Sequence, residues 1–227
     1  MKQKFTILFD LDGTLVDTAP DLMLAHNHVM KKFGYPTKST EDIRNLVGKG
    51  AGALIGRSIW GQAKKEFSKV LDAKIKDEMV KEFVNFYGKN IVNESTLVTG
   101  VKDFLIWCKE QNISMAVCTN KQEHLSNDLL KKIGIYDFFE YVAGSDTFDY
   151  CKPDPRHLTN VVEILDGDLK KTIMIGDSET DANAGKAAEV PVILLENGYT
   201  EKNTNEIYHN HLIKDFTGIE KIIKKYL

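Results

Sequence analysis

Arginine is scarce in this chain of 227 residues, and no basic excess is present. Only three of the 30 basic residues are arginines (Arg44, Arg57 and Arg156), and the net charge is −3. General nucleic-acid binders usually carry a strong basic excess, so we expect no nucleic-acid partner. Lysine lacks the planar fork with which arginine grips phosphate or carboxylate, so an arginine close to a site is of special interest.

Cysteines and long apolar runs are also few. Cys108, Cys118 and Cys151 are odd in number and lack a CxxC spacing, which argues against a disulfide framework or a zinc site. Cys151 adjoins Lys152, a neighbour that would lower the pKa of its thiol. No apolar run approaches the roughly 20 residues of a membrane span, and the run near the start is too short for a signal peptide. We therefore expect a cytoplasmic protein with no membrane partner.

Short apolar runs alternate with helical patterns along most of the chain. Continuous runs of this length are typical of strands that are buried on both faces of a parallel sheet. The four clearest runs cover residues 5–9, 114–118, 172–175 and 190–195, and weaker ones cover 141–143 and 212–213. Strands that alternate with helices predict an α/β fold with a doubly wound parallel sheet.

One stretch, residues 18–92, breaks this alternation and is predicted to be helical throughout. Thr18, followed by Pro20 and Asp21, is typical of a helix start with an acidic third residue. A glycine-rich interruption at 48–52 precedes two further predicted helices at 62–71 and 75–87. At roughly 150 residues per domain the length corresponds to about 1.5 domains. We therefore expect an α/β core of residues 1–17 and 93–227 with an inserted all-helical domain of residues 18–92.

Two aspartates follow the first predicted strand. Asp10 and Asp12 lead into a turn at Gly13. One carboxylate in such a pair can act as a nucleophile or metal ligand, and its neighbour as an acid or base. The alternative is an acidic turn, because Asp-Gly is a common turn pair.

Polar residues follow two more predicted strands. Thr119 and Asn120 open a helix after the second strand, where they can form an anion site or cap the helix. Asp177 and Asp181 follow the strand at 172–175, and their hard oxygen atoms suit magnesium, although Asp177 could instead cap the next helix. Lys152 lies beside Pro153, so it is either an ammonium held towards a phosphate or a solvated loop lysine.

Together, these four segments resemble the motifs of the haloacid dehalogenase superfamily, and closely those of its phosphoglycolate-phosphatase-like members. The resemblance covers nearly the whole chain, and residues 18–92 resemble the small helical cap that the family places after its first motif. The segment 43–50 also resembles the cap loop of that group, although this match is short. The aspartate at position 12 favours phosphatases over family members that attack carbon or cleave phosphonates.

The resemblance implies a role for each motif residue. Asp10 would attack phosphorus and become an aspartyl phosphate, while Asp12 would protonate the leaving oxygen and then activate water. Mg²⁺ would be held by Asp10, the backbone carbonyl of Asp12 and Asp177, with Asp181 bound directly or through water. Thr119 and Asn120 would bind the transferring phosphoryl group, and Lys152 would offset its charge.

The substrate is less constrained than the reaction. Arg44, Lys49 and Arg57 flank the glycine-rich loop, and Arg44 and Lys49 are candidate ligands for a substrate carboxylate. We therefore expect a small phosphorylated metabolite, with 2-phosphoglycolate preferred. Pyrophosphate, a sugar phosphate, a nucleotide or a phosphomutase reaction stay open, as does a non-catalytic phospho-acceptor or interaction module. The oligomeric state expected is a monomer or a homodimer.

Overall fold

A six-stranded parallel sheet lies at the centre of the computed structural model, which describes residues 4–66, 73–200 and 202–227. Its strand order is β5-β4-β1-β6-β7-β8, and a separate two-stranded antiparallel pair joins β2 to β3. The strands of the described residues are β1 (Thr6–Phe9), β2 (Val16–Asp17), β3 (Thr96–Leu97), β4 (Ser114–Cys118), β5 (Tyr141–Ala143), β6 (Thr172–Gly176), β7 (Val192–Leu195) and β8 (His211–Ile213).

Helices pack on both faces of this sheet. The helices of the described residues are α1 (Ala19–Phe33), α2 (Thr40–Arg44), α3 (Ala51–Glu66), α4 (Ala73–Lys89), α5 (Val101–Glu110), α6 (Glu123–Ile133), α7 (Arg156–Ile164), α8 (Glu179–Ala187) and α9 (Glu220–Ile223). Alternate residues of β1 belong to different apolar clusters: Phe9 packs with Phe104 of α5, whereas Leu8 belongs to the cluster that contains Leu158 of α7. Both faces are therefore buried, which explains why the strands are continuous apolar runs and confirms the predicted doubly wound fold.

Four helices, α1 to α4, lie between β2 and β3, where the sequence predicted a helical insert. Its treatment as a separate domain stays a prediction. The carboxylate of Asp21 joins the two ends of this segment, because it accepts hydrogen bonds from the backbone N–H groups of Asn93, Glu94 and Ser95. The hydroxyl of Ser95 donates a fourth bond at 2.6 Å. Asp21 thus ties the start of α1 to the segment that returns to the sheet.

Of two local predictions in this segment, one was inaccurate and one is confirmed. The helix predicted at 62–71 begins at Ala51, and the end of that prediction lies outside the described residues. Burial of Leu54 and Ile55 offsets the low helix propensity of the glycine at position 52. The helix start predicted at Thr18 is confirmed, since Thr18 is the N-cap residue of α1 and Asp21 lies in the first turn, although the hydroxyl of Thr18 donates to Asp12 and not to the helix. Among the described helices, none combines the length and the apolar character that crossing a membrane requires.

Candidate active site

Three neighbouring strands bring the polar motifs together. β1 lies between β4 and β6, and the three strands end directly before Asp10, Thr119 and Asp177. Parallel strands end at the same edge of a sheet, where ligands of open α/β folds bind. The chain returns to this edge a fourth time with Lys152, which precedes α7. Segments far apart in sequence thus form one site.

Three buried carboxylates form the floor of this site. One oxygen of each of Asp10, Asp177 and Asp181 lies within 4.8 Å of the others, and all three residues are at most 6% exposed. Burial raises the pKa of Asp10 to about 6, although Lys152 opposes this shift. Burial, with repulsion from Asp10 and Asp181, raises the pKa of Asp177 well above its usual value. Ionised carboxylates this close together repel each other, so a bound cation would stabilise the cluster.

Backbone geometry allows the carboxylates to approach the turn after β1. Gly13 has a φ of +83°, and a Cβ at this position would lie 2.2 Å from Oδ2 of Asp177. Asp177 accepts hydrogen bonds from the hydroxyl of Thr14 at 3.2 Å and from the backbone N–H of Tyr199 at 2.6 Å. A side chain at position 13 would displace the carboxylate, so the glycine of the first motif serves both the turn and the acidic floor.

Lys152 lies between two of these carboxylates. Its ammonium is 2.8 Å from Asp10 and 2.5 Å from Asp181, and its side chain is 1% exposed. Although burial opposes its charge, Asp10 and Asp181 raise the pKa of Lys152 above its usual value. The backbone N–H of Lys152 donates to the ring of His157, a buried residue at the start of α7. The structure therefore excludes the alternative of a solvated loop lysine.

Asp181 is already well supplied with donors. Its Oδ2 accepts the N–H of Asp177, the N–H of Ser178 and the hydroxyl of Ser178, and its Oδ1 accepts Lys152. Its bonds to Ser178 form a capping box at the start of α8. Asp181 is thus held by the protein more completely than Asp10, so its contribution to a metal site is better suited to an indirect contact.

Asp12 lies at the rim of the floor and pairs with a lysine that the sequence did not single out. The ammonium of Lys121 is 2.8 Å from both carboxylate oxygens of Asp12. The hydroxyl of Thr18 donates to Oδ1 of Asp12 at 2.8 Å. Lys121 directly follows the predicted pair Thr119 and Asn120, but nothing in its sequence context separates it from the other lysines.

Thr119 and Asn120 follow β4 as expected, but neither caps α6, whose N-cap residue is Gln122. Thr119 is 2% exposed, and its hydroxyl oxygen accepts the N–H of Lys121 at 3.2 Å, which leaves the hydroxyl hydrogen available for a ligand. The carboxamide of Asn120 donates to the carbonyl of Gly48 in the insert and to the carbonyl of Lys152. Asn120 therefore links the sheet edge to the glycine-rich loop.

A cavity of about 300 Å³ opens above this edge, between the sheet and the helical insert. Its walls include Asp10, Asp12, Thr119, Asn120 and Lys121 on the sheet side, and the loop at 48–52 together with Leu22, Phe83 and Tyr87 on the insert side. This volume lies at the lower end of the range for small-molecule sites.

The structure does not bring the predicted arginines to this cavity. The guanidinium of Arg44 pairs with Asp17 at 2.7 Å and lies over the ring of Tyr199, beside a different cavity. Arg57 donates to the carbonyls of Asn45 and Leu46. Of the three insert cations named above, Lys49 lines the cavity at the sheet edge.

The sequence hypothesis about Cys151 is not supported. Burial raises the pKa of the Cys151 thiol even though Lys152 lies beside it in the chain. Burial also raises the pKa of Cys118 to about 12, and both Cys108 and Cys118 belong to the apolar core. A raised thiol pKa lowers the fraction of reactive thiolate.

The donors at the sheet edge fit a hard divalent cation. Four carboxylates (Asp10, Asp12, Asp177 and Asp181) and the two ammonium groups that pair with them leave a formal charge of −2. Carboxylate and carbonyl oxygens are the ligands that Mg²⁺ prefers, and a dication would balance this charge. Burial, together with mutual repulsion, raises the pKa values of Asp10 and Asp177, and a bound dication would favour their ionised forms.

Comparisons with known proteins agree with this geometry. The family profile described as haloacid dehalogenase-like hydrolase matches residues 7–195. A phosphoglycolate phosphatase of Mesorhizobium japonicum is 36% identical over 94% of this chain and 92% of its own length. One of Caulobacter vibrioides is 38% identical over 95% of this chain and 89% of its own length.

A solved structure, described as a predicted phosphoglycolate phosphatase from Haemophilus somnus 129pt, superposes with a TM-score of 0.89. It is 31% identical, and the match covers 98% of this chain and 99% of that one. The expectation of an enzyme is confirmed, and the enzyme is a phosphatase. The chain belongs to the haloacid dehalogenase-like hydrolase family.

Proposed function

We propose that this phosphatase is Mg²⁺-dependent and hydrolyses 2-phosphoglycolate through an aspartyl-phosphate intermediate on Asp10. The observation that carries the mechanism is the placement of Asp10 beside Lys152, Asp177 and Asp181, with Asp12 two residues away at the cavity. The substrate is supported by the relatives named phosphoglycolate phosphatase and by the small volume of the cavity.

In the first step, a carboxylate oxygen of Asp10 attacks phosphorus and the bond from phosphorus to the leaving oxygen breaks. The ammonium of Lys152, 2.8 Å from Asp10, offsets negative charge on the phosphoryl oxygens during this transfer. The hydroxyl of Thr119 donates to a phosphoryl oxygen, because its own oxygen already accepts the N–H of Lys121. Asn120 holds the adjoining loop and completes the phosphoryl site.

Asp12 takes up a proton when the phosphate dianion binds and transfers it to the departing alkoxide. As a carboxylate it later accepts a proton from the water that attacks the aspartyl phosphate. Its carboxylate is oriented from two sides, by the ammonium of Lys121 and the hydroxyl of Thr18. The covalent intermediate on Asp10 divides hydrolysis into two easier displacements, and a fixed acid and base at Asp12 assists both.

Asp10, Asp177 and the backbone carbonyl of Asp12 would hold Mg²⁺, and Asp181 would contact it through water. When bound, the cation neutralises charge on the acidic floor and on the phosphoryl group. Without such compensation, a phosphate dianion would face a site with a formal charge of −2.

A substrate panel with metal control tests this proposal. The purified chain is assayed with 2-phosphoglycolate, pyrophosphate, a sugar phosphate, a nucleotide monophosphate and p-nitrophenyl phosphate, with Mg²⁺ or with EDTA. We expect the largest kcat/KM for 2-phosphoglycolate and loss of all hydrolysis in EDTA. A larger kcat/KM for pyrophosphate or a sugar phosphate would replace the proposed substrate, and full activity in EDTA would contradict the metal.

Thermal unfolding provides a measurement of metal binding that does not depend on activity. Mg²⁺ at about 100 times its Kd would stabilise the fold by about 2.7 kcal/mol, because it binds only the native state. We expect this increase in Tm for the wild type and a much smaller one for Asp177→Asn. Equal increases in both proteins would contradict Asp177 as a ligand. The cytoplasmic location and the monomeric or homodimeric state stay predictions.

A further inference from the structure

We propose that Lys121 is the specificity residue that recognises the carboxylate of the substrate, with the hydroxyl of Tyr87 as a second donor. This inference deepens the proposed function, and its carboxylate-bearing substrate rests on that function. It assigns recognition to the sheet edge rather than to the arginines of the helical insert.

Lys121 is an ammonium held in place beside the reacting groups. Its side chain is 5% exposed, and its Nζ lies 2.8 Å from each carboxylate oxygen of Asp12. On its other side, Nζ lies 4.5 Å from the ring centroid of Tyr87 in α4. Both Lys121 and Tyr87 line the cavity. The positive charge is therefore confined to the place where the sheet edge meets the insert.

The position of Asp12 determines where the leaving group lies. A leaving oxygen that takes a proton from Asp12 lies about 3 Å from one of its oxygens. Since Nζ of Lys121 is 2.8 Å from both of those oxygens, it lies within about 6 Å of the leaving oxygen. The carboxylate carbon of glycolate is two bonds, or about 2.5 Å, from that oxygen. A substrate that turns its carboxylate towards Lys121 therefore brings it within reach of Nζ without a change in the position of the lysine.

Tyr87 provides an independent sign of a ligand at this place. It is 1% exposed, and its hydroxyl has no hydrogen-bond partner within the described part of the chain. Burial raises the pKa of Tyr87 well above its usual value, so the hydroxyl keeps its proton and can donate. A buried donor without a partner costs free energy, which a bound carboxylate would recover.

The other cations near the cavity are less suited to this task. Lys152 is shared between Asp10 and Asp181, where the phosphoryl group needs its charge. Arg44 pairs with Asp17 beside another cavity. Lys49 lines the same cavity as Lys121, but from the glycine-rich loop of the insert, and it is therefore the competing candidate that the experiment must separate.

The decisive experiment compares two substrates that differ only in the charged group. 2-Hydroxyethyl phosphate has the same length as 2-phosphoglycolate but carries a neutral CH₂OH in place of the carboxylate. We expect the wild type to prefer 2-phosphoglycolate and Lys121→Met to lose about 10- to 100-fold of that preference in kcat/KM. If Lys121→Met only disturbed the orientation of Asp12, kcat/KM would fall equally for both substrates. The ratio of the two kcat/KM values therefore reports recognition of the carboxylate alone.

Three further variants keep the test decisive. Tyr87→Phe keeps the ring under the ammonium and should reduce the preference by about 3- to 10-fold, even if Lys121→Met folds poorly. Lys131→Met is the matched control, since Lys131 also lies over a tyrosine ring, 4.8 Å from Tyr136, but at an exposed position. It should leave the ratio unchanged. Lys49→Met tests the competing cation.

The outcomes separate this inference from the proposed function. A preserved preference in both Lys121→Met and Tyr87→Phe, or its loss in Lys49→Met alone, would overturn the role of Lys121 and leave the proposed substrate intact. A wild type that hydrolyses p-nitrophenyl phosphate but does not prefer 2-phosphoglycolate over 2-hydroxyethyl phosphate would overturn both.

Discussion

The sheet edge and the helical insert hold their charged groups in different ways. At the sheet edge, Lys152 and the acidic floor are almost fully buried, and Lys152, Asp177 and Asp181 each have two or more partners there. In the insert, Arg44 pairs with Asp17 at the end of β2, and Arg57 donates to the carbonyl of Leu46. Neither arginine lines the cavity at the sheet edge. The comparison indicates that the strand ends hold the candidate catalytic groups in place, and our proposal assigns recognition to the place where the insert meets them.

The largest effect at the sheet edge is expected for Asp10→Asn, which tests the covalent mechanism. It removes the proposed nucleophile but keeps the size of the side chain, so we expect kcat to fall by at least about 10⁴-fold. Hydrolysis of p-nitrophenyl phosphate with Mg²⁺ measures the loss, and circular dichroism checks that the fold persists. Near-normal turnover by a folded variant would contradict the covalent mechanism.

The attachment of the insert is tested by Asp21→Ala. Asp21 is 1% exposed and accepts four hydrogen bonds from residues 93–95, three of them from backbone N–H groups. Removing it leaves buried donors unpaired, so we expect a loss of about 2–4 kcal/mol in the free energy of unfolding. Urea titration measures this value.

Asp42→Ala serves as the control for that variant. Asp42 also accepts a backbone N–H, from Ser39, but at an exposed helix start in the same insert. We expect a much smaller loss of stability there. Equal losses in the two variants would show that the Asp21 contacts do not anchor the insert.

A smaller effect concerns the residue that supports Lys152. Burial, together with the charge of Lys152, lowers the pKa of His157 to about 4 from its usual 6.5. Below pH 6.5 the unfolded chain binds a proton that the folded chain does not, so stability falls as the pH decreases from 6.5 to 4. We expect this contribution, about 2–3 kcal/mol, to be missing in His157→Gln.

Urea titrations at pH 7 and pH 4 measure that difference. The raised pKa of Asp10 has the opposite effect on the free energy of unfolding, but it is present in both the wild type and His157→Gln and therefore cancels when the two are compared. His124→Gln, a control at an exposed position of α6, should lose the same free energy of unfolding between pH 7 and pH 4 as the wild type. Identical pH dependence of His157→Gln and wild type would show that His157 is not held neutral.

The sequence predicted the sheet well because its central strands are continuous apolar runs, and three of them end directly before a polar motif residue. Asp10, Thr119 and Asp177 could be placed from those ends alone, since parallel neighbours share an edge. The start of α3 could not be predicted, because the glycines at 48–52 indicate an interruption, whereas burial of Leu54 and Ile55 stabilises a helix from Ala51. Lys121 had no distinguishing signal, since its importance comes from Asp12 and Tyr87, which are distant in sequence.

The central position of β1 also affects how the chain is made. β1 ends at Phe9, but its partners β4 and β6 begin at Ser114 and Thr172. At about 5–20 residues per second, the ribosome takes roughly 8 to 30 seconds to synthesise the chain between β1 and β6. Until β4 has been synthesised, the apolar strand β1 has no sheet to join, and only when β6 follows are both of its edges paired, so the nascent chain exposes an aggregation-prone strand during this time.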